Sequence, residues 1–416
     1  MQTQLADFLR GTADGQEAEE ILRKCVHCGF CTATCPTYQL IGDELDGPRG
    51  RIYLIKQVLE GARPTQRTRL HLDRCLTCRS CETTCPSGVR YGRLVDIGRG
   101  IVEQGATRGL FERVARAALG AVLTRTTLFG ALLKLGQTVR PLLPASLKRA
   151  VPPRARSRGA WPAARHARRM LVLAGCVQPA LAPVINAAAA RVLDAAGISL
   201  IEAPGGGCCG ALRYHLNAQQ AGLDDMRRLI DAWWPTIERG EIEAIVMTAS
   251  GCGATVREFG HLLRGDEAYR VKAARVSAMT RDLSEVLVDG AAALGARLAP
   301  RTAGAAQRIA FHAPCSLQHA QQIHGVVESL LSRAGFELTP VADGHLCCGS
   351  AGTYSILQPK LADALRERKQ ASLHAGQPEA IATANIGCLM HLQAGAQLPV
   401  RHWIELLDDR LAASAR

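Results

Sequence analysis

The sequence predicts an α/β protein in which a mainly α-helical, cysteine-rich module precedes an α/β part built twice over. Three observations carry that prediction. Eight cysteines sit in two tight clusters before residue 86. Eight more recur as two spaced sets of four. Around the later sets, short apolar runs alternate with segments of helical periodicity, as in a parallel sheet with crossover helices. The elements divide into 1–108 for the first module, 109–169 for a basic connector, 170–290 for the first copy and 305–416 for the second.

At 416 residues the chain can bury two or three separate cores. It contains no charge-free apolar run of about 18 residues, so no membrane-spanning helix is expected. The start, M-Q-T-Q-L-A-D-F-L-R, lacks the basic and apolar regions of a signal peptide, so a cytoplasmic location is expected. Disulfides are rare there, and sixteen cysteines then point to metal ligation.

The first module is defined by C-V-H-C-G-F-C-T-A-T-C-P from Cys25 and C-L-T-C-R-S-C-E-T-T-C-P from Cys75. Both fit C-x2-C-x2-C-x3-C-P, the bacterial ferredoxin-type iron–sulfur pattern, in which the fourth cysteine serves the other cluster. Cys25, Cys28, Cys31 and Cys85 are therefore assigned to one [4Fe–4S] cluster, and Cys75, Cys78, Cys81 and Cys35 to a second. Structural zinc normally draws two C-x2-C pairs from separated places, a poorer match. With every thiolate position filled, such clusters pass single electrons and do no substrate chemistry. Between the motifs, Gly47-Pro48 marks a turn, and Ile52, Ile55, Val58 and Leu59 recur at helical spacing. Arg49 and Arg51 could neutralise cluster charge, although the spacing favours a solvated turn for both.

Apolar residues from Phe111 to Leu133 predict one or two amphipathic helices, interrupted by Arg113, Arg116, Arg125 and Lys134. A proline- and arginine-rich linker follows, V-P-P-R-A-R-S-R-G-A-W-P-A-A-R-H-A-R-R. Between Glu112 and Asp194 there are fourteen Lys and Arg and no acidic residue, which accounts for the net charge of +13. That charge suits an anionic membrane surface or an acidic partner subunit. Nucleic acid is not expected as a partner, because no recognition module or interleaved aromatic accompanies the charge.

The two copies open with L-V-L-A-G-C at Cys176 and I-A-F-H-A-P-C at Cys315. Thirty-one residues then separate each first cysteine from a C-C-G, at Cys208-Cys209-Gly210 and Cys347-Cys348-Gly349. A further apolar run leads to Cys252 in one copy and Cys388 in the other. Each copy closes on a similar piece, D-L-S-E-V-L-V at 282–288 and H-W-I-E-L-L-D at 402–408. Met170–Ala174 and Ile309–Phe311 read as buried strands, and Val184–Ala196 and Val326–Ala334 as helices, the latter stopped by Gly335. Sites in parallel α/β sheets gather at strand C-termini, so the strand-end cysteines are expected to meet the C-C pairs there. The first C-C-G lies within P-G-G-G-C-C-G, which also satisfies the dinucleotide pattern G-x-G-x-x-G. The second copy, A-D-G-H-L-C-C-G, keeps the cysteines and the last glycine but not the spacing, so no nucleotide loop is assigned.

These motifs resemble a known family. The duplicated half is similar to the cysteine-rich CCG domains of heterodisulfide reductase and of iron–sulfur subunits of respiratory dehydrogenases. A dicluster ferredoxin module followed by two CCG domains resembles the iron–sulfur subunits of glycolate oxidase, lactate-utilisation proteins and anaerobic glycerol-3-phosphate dehydrogenase. The stretch C-V-H-C-G-F-C-T-A-T-C-P-T-Y-Q-L-I-G-D-E-L-D-G-P-R-G-R-I-Y is especially like the glycolate oxidase family. The resemblance implies a hetero-oligomer in which flavin-containing subunits oxidise glycolate and this chain relays electrons towards quinone, peripherally on the cytoplasmic face of the inner membrane. No oxidation of substrate by this chain alone is expected, since it shows neither a flavin motif nor an acid–base pair. The alternatives are a lactate or glycerol-3-phosphate dehydrogenase subunit, a disulfide reductase of the heterodisulfide type, and a non-redox scaffold.

One departure affects the later cysteines. The family ends each copy with C-x-x-C, but Thr255 follows Cys252 at that spacing and His391 follows Cys388. Four cysteines per copy remain: Cys176, Cys208, Cys209 and Cys252, then Cys315, Cys347, Cys348 and Cys388. They suit an additional iron–sulfur cluster, a zinc ion, or metal-free packing. His312 and His391 lie beside the second set, as ligands or as ordinary hydrogen-bonding residues.

Overall fold

The computed structural model describes residues 1–144, 148, 151–290 and 306–414. In the N-terminal module α1 (Ala13–Lys24), α2 (Pro48–Leu59) and α3 (Tyr91–Gly105) bury one apolar stripe each. Ile21, Leu22, Ile55, Leu59, Leu94 and Val95 meet there in a single core. The expected turn at Gly47-Pro48 is the start of a helix. Gly47 caps α2 and Pro48 is its first residue, where a missing N–H is not needed. Arg49 and Arg51 therefore sit in the first helical turn, where Arg49 keeps a partly exposed side chain paired with Glu44 at 2.6 Å and only Arg51 departs from the solvated reading. Arg51 is 1% exposed.

The connector folds as α4 (Leu110–Leu123) and α5 (Thr126–Val139). Both lie against the first copy, where Arg213 Nε donates to Gly120 O at 3.2 Å and Thr126 Oγ1 to Gly175 O at 3.3 Å. The arginine-rich linker then follows the surface of the same copy. Trp161 Nε1 donates to Leu200 O at 3.1 Å, Arg158 stacks on the Trp161 ring at 4.4 Å, and Arg165 pairs with Asp194 at 2.5 Å. Part of the linker's charge is thus matched by acids of the domain that it follows.

The first copy contains β1 (Arg168–Val172), α6 (Val184–Ala195), β2 (Ile198–Glu202), α7 (Gln219–Glu238), β3 (Ala244–Met247), α8 (Ser250–Arg257), β4 (Thr280–Asp282) and α9 (Leu283–Asp289). The second repeats it with β5 (Arg308–His312), α10 (Val326–Arg333), β6 (Glu337–Thr339), α11 (Pro359–His374), β7 (Ala380–Thr383), α12 (Ile386–Gln393), β8 (Val400–His402) and α13 (Trp403–Ser414). The strand orders are β2-β1-β3-β4 and β6-β5-β7-β8, and every pairing is parallel. The similar closing pieces have one physical role. Glu285 accepts from the Asp282 N–H at 2.7 Å and Glu405 from the His402 N–H at 3.0 Å, each capping the last helix of its copy.

The copies pack through a shared core that includes Ile185, Leu193, Trp403 and Leu407, with Arg191 paired to Asp408 at 2.6 Å. Their strand ends also meet. The Ser250 and Ser316 hydroxyls are 2.8 Å apart, Ser250 N–H donates to Ala384 O at 3.2 Å, and His402 Nε2 donates to Thr248 O at 2.9 Å. This brings the cysteine-bearing ends of both sheets to one region. The expected boundary at 305 lies outside the described residues.

Candidate metal centres

The two N-terminal motifs build two adjacent recesses. Cys25, Cys28, Cys31 and Cys85 line one. Cys35, Cys75, Cys78 and Cys81 line a second, and Cys81 also borders the first. Each loop turns its thiols inward with two left-handed residues at equivalent places: His27 and Gly29 at φ 57° and 86°, Thr77 and Arg79 at 51° and 60°. Arg79 holds a conformation that favours glycine, and its guanidinium pairs with Glu258 of the first copy at 2.5 Å. The motifs cross where Thr84 Oγ1 meets Thr34 Oγ1 at 3.1 Å. Burial pushes the Cys78 and Cys81 thiols up and holds Cys31 at about 11. Metal entering these recesses must therefore displace protons. Four convergent thiols in each recess, with no other acid among them, fit a [4Fe–4S] group.

The second recess has a buried polar wall that composition and spacing do not disclose. Arg51 Nε donates to His71 O at 2.7 Å, and its Nη2 reaches Asp46 Oδ1 at 3.4 Å. Arg74 holds the other Asp46 oxygen at 2.8 Å. Thr37 Oγ1 lies 3.3 Å from Cys35 Sγ, and Tyr91 donates to Cys75 Sγ at 3.5 Å. Arg51 lines the recess, where a fixed cation favours the more negative redox state. We expect Arg51→Gln to lower the midpoint potential of the second centre by tens of millivolts. Redox titration of the anaerobically purified chain, followed by EPR, measures this; an unshifted midpoint would remove Arg51 from the tuning.

In the first copy Cys176 lies at the end of the segment after β1, Cys208 and Cys209 are loop-borne, and Cys252 is in the first turn of α8. Cys176 touches Cys208, and Cys209 touches Cys252. The Cys176 hydrogen bond draws the Cys208 thiol down, while Cys176 and Cys209 are pushed up. In the second copy Cys315 and Cys347 Sγ atoms are 3.9 Å apart, Cys348 touches Cys388, and Asn385 Nδ2 donates to Cys388 Sγ at 3.6 Å. Each set of four is thus assembled at strand C-termini. The glycine of each C-C-G donates its N–H back to the first thiol of the pair at 3.4 Å, in both copies. An amide committed to sulfur is not part of a phosphate cradle.

The second recess abuts the second copy. Leu76, Cys347, Tyr354, Ala362 and Leu365 form a small buried cluster, against which Cys78 and Cys315 both pack. Thr83 Oγ1 and His319 Nδ1 hydrogen-bond across the same junction at 3.0 Å. Sequence spacing contains no signal for this contact, because it joins residues more than two hundred positions apart. The two histidines also separate. His391 Nε2 is bonded to Ala362 O at 3.2 Å, whereas His312 lies among Cys348 and Cys388. Thr255 bonds back to Gly251 O at 3.2 Å.

Residues 21–89 match the 4Fe-4S dicluster domain family, and residues 170–257 and 309–393 each match the cysteine-rich CCG domain family. The chain is 56% identical over 411 residues, 99% of either chain, to the glycolate oxidase iron-sulfur subunit of Escherichia coli K12. It is 30% identical to the probable glycolate oxidase iron-sulfur subunit of Bacillus subtilis 168, over 90% of this chain and 89% of the relative. Lactate utilization protein A of Geobacillus kaustophilus is 24% identical, over 49% of this chain and 83% of the relative.

Proposed function

Because the chain belongs to the family of glycolate oxidase iron–sulfur subunits, we propose that it is the electron-transfer subunit of a complex that oxidises glycolate. Flavin-containing partner subunits supply the electrons, and quinone at a membrane surface is the acceptor. The observation that carries this reading is the adjacency of the two four-cysteine recesses and their continuation, through Cys78, to Cys315 and Cys347. Bound there, [4Fe–4S] groups supply one-electron storage. The protein supplies their spacing, burial and charge.

The first recess suits the entry side. Cys28 is exposed, and Val26, Phe30 and Tyr53 around it are 69%, 63% and 48% exposed. Apolar side chains in contact with water beside a redox site are where a partner gains most by docking. The test is anaerobic addition of glycolate to the assembled complex, read as bleaching of the iron–sulfur absorbance of this chain. No bleaching by glycolate, with bleaching by lactate, would transfer the reading to another 2-hydroxyacid.

The connector suits the membrane side. Leu110, Phe111, Val114, Leu132, Leu135 and Leu142 are exposed on α4, on α5 and just after it, with Arg113, Arg125 and Lys134 among them. Among the described residues no single helix is long and apolar enough to cross a membrane, and Leu110–Leu123 meets Thr126–Leu142 at a bend of 101°. Such a bent apolar pair, edged with cations, matches an anionic interface better than a purely acidic protein surface. Substituting Phe111 and Leu135 together by serine is expected to lower binding to vesicles with anionic lipid at least tenfold. Flotation of the complex with such vesicles measures it, and undiminished flotation would take the membrane from this face.

A further inference from the structure

His312 ends β5 and is 1% exposed, and neither ring nitrogen has a hydrogen-bond partner. Its register partner on β7, Thr383, is fully buried, and the Thr383 hydroxyl is unmatched as well. Two unmet polar groups side by side in a core are costly, and a bound partner would recover that cost. A ligand atom of His312 and the Sγ atoms of Cys348 and Cys388 all lie within 4.8 Å of one another. Among the described residues the first copy has no such group, and Leu173 stands three residues before Cys176, where His312 stands before Cys315. The copies have therefore diverged at the position that faces the thiols.

The donors are too extended for one small ion. Thiolates about 2.3 Å from a tetrahedral zinc lie roughly 3.8 Å apart. The Cys315–Cys347 separation of 3.9 Å would satisfy one such edge, but both thiols fall outside the close group that contains His312. Five donors arranged as a string, reaching from His312 to the thiols that pack beside Cys78, span more than one metal tetrahedron. We propose that His312 is the fifth donor of an iron–sulfur centre whose other donors are Cys315, Cys347, Cys348 and Cys388. This rests on the reading that the second copy holds iron, and it assigns that copy an imidazole–thiolate centre that the first copy cannot form. His391, spoken for by Ala362, takes no part.

The experiment uses the full chain, purified anaerobically from cells fed [15N]histidine or unlabelled histidine. Iron, sulfide and zinc are counted per chain, and pulsed EPR reads nitrogen coupled to the centre. The expected wild type holds about 12 irons or more, where two ferredoxin-type clusters alone would give about 8. It shows an imidazole coupling that changes with the label. His312→Ala is expected to lose about 4 irons and that coupling. His312→Cys is expected to keep its iron and lose the nitrogen signal, which separates ligation from misfolding. About 12 irons without imidazole coupling, or His312→Ala with iron and coupling intact, would overturn the ligand assignment. A wild type with about 8 irons would instead overturn the reading that the second copy holds iron.

Discussion

Cys78→Ser is expected to abolish electron delivery to quinone, by at least a hundredfold, while the flavin partners still reduce an added dye. Cys78 is one of four thiols in the second recess and the one that packs beside Cys315. A serine hydroxyl is a harder, far less acidic donor, and soft thiolate is what iron–sulfur centres require. The variant should lose about 4 irons, so a count of iron checks that the intended site was emptied. Cys28→Ser, at the exposed recess, is expected to stop delivery at the entry side. Complete quinone reduction by either variant complex would sink the relay. Loss of dye reduction as well would mean that the substitution had broken the assembly instead.

Much of this is legible in the chain because local spacing fixes local geometry. C-x2-C-x2-C-x3-C-P marks a thiol-bearing loop in each motif, and the structure gives both loops two left-handed residues at matching positions. The duplication is legible for a similar reason: cysteines, glycine and capping acid recur in one order, the same interval of 31 residues precedes each C-C-G, and the two sheets share one strand order. Arg51 is where spacing misleads, since it suggests a solvated turn. An isolated arginine after Gly-Pro has no periodicity to announce that Asp46, Thr37 and the His71 carbonyl will enclose it. His312 and His391 look alike in sequence because both neighbour cysteines. Which one faces the thiols depends on strand direction in one case and on the packing of α12 against α11 in the other. The junction that brings Cys78 and Cys315 against one cluster is tertiary throughout, and no window of sequence contains both.

The C-C-G glycines should be among the least replaceable residues of the C-terminal half. Gly210 and Gly349 have φ of 82° and 91°, where any other residue is strained by about 1 kcal/mol or more. Space is the larger obstacle. A Cβ on Gly349 would lie 2.6 Å from Ala362 O, and one on Gly210 would lie 2.5 Å from Gly222 O. Both obstructing atoms are backbone carbonyls of the long helix that follows, α11 or α7, so relief requires moving a helix against its sheet. In the second copy that movement would also disturb the His391 bond to Ala362. Alanine removes some unfolded-chain entropy, worth about 0.4–1 kcal/mol in the opposite direction. The strain and overpacking are larger, and a net loss of about 3 kcal/mol is expected for Gly349→Ala and a similar loss for Gly210→Ala. Urea unfolding of the anaerobic full chain, followed by far-UV circular dichroism, measures both. A Gly349→Ala midpoint equal to wild type would refute the close-approach account. A large loss at Gly210 with none at Gly349 would restore a special role for P-G-G-G-C-C-G. Equal losses would mean that both copies need glycine for one reason, room for a loop that turns its N–H towards sulfur.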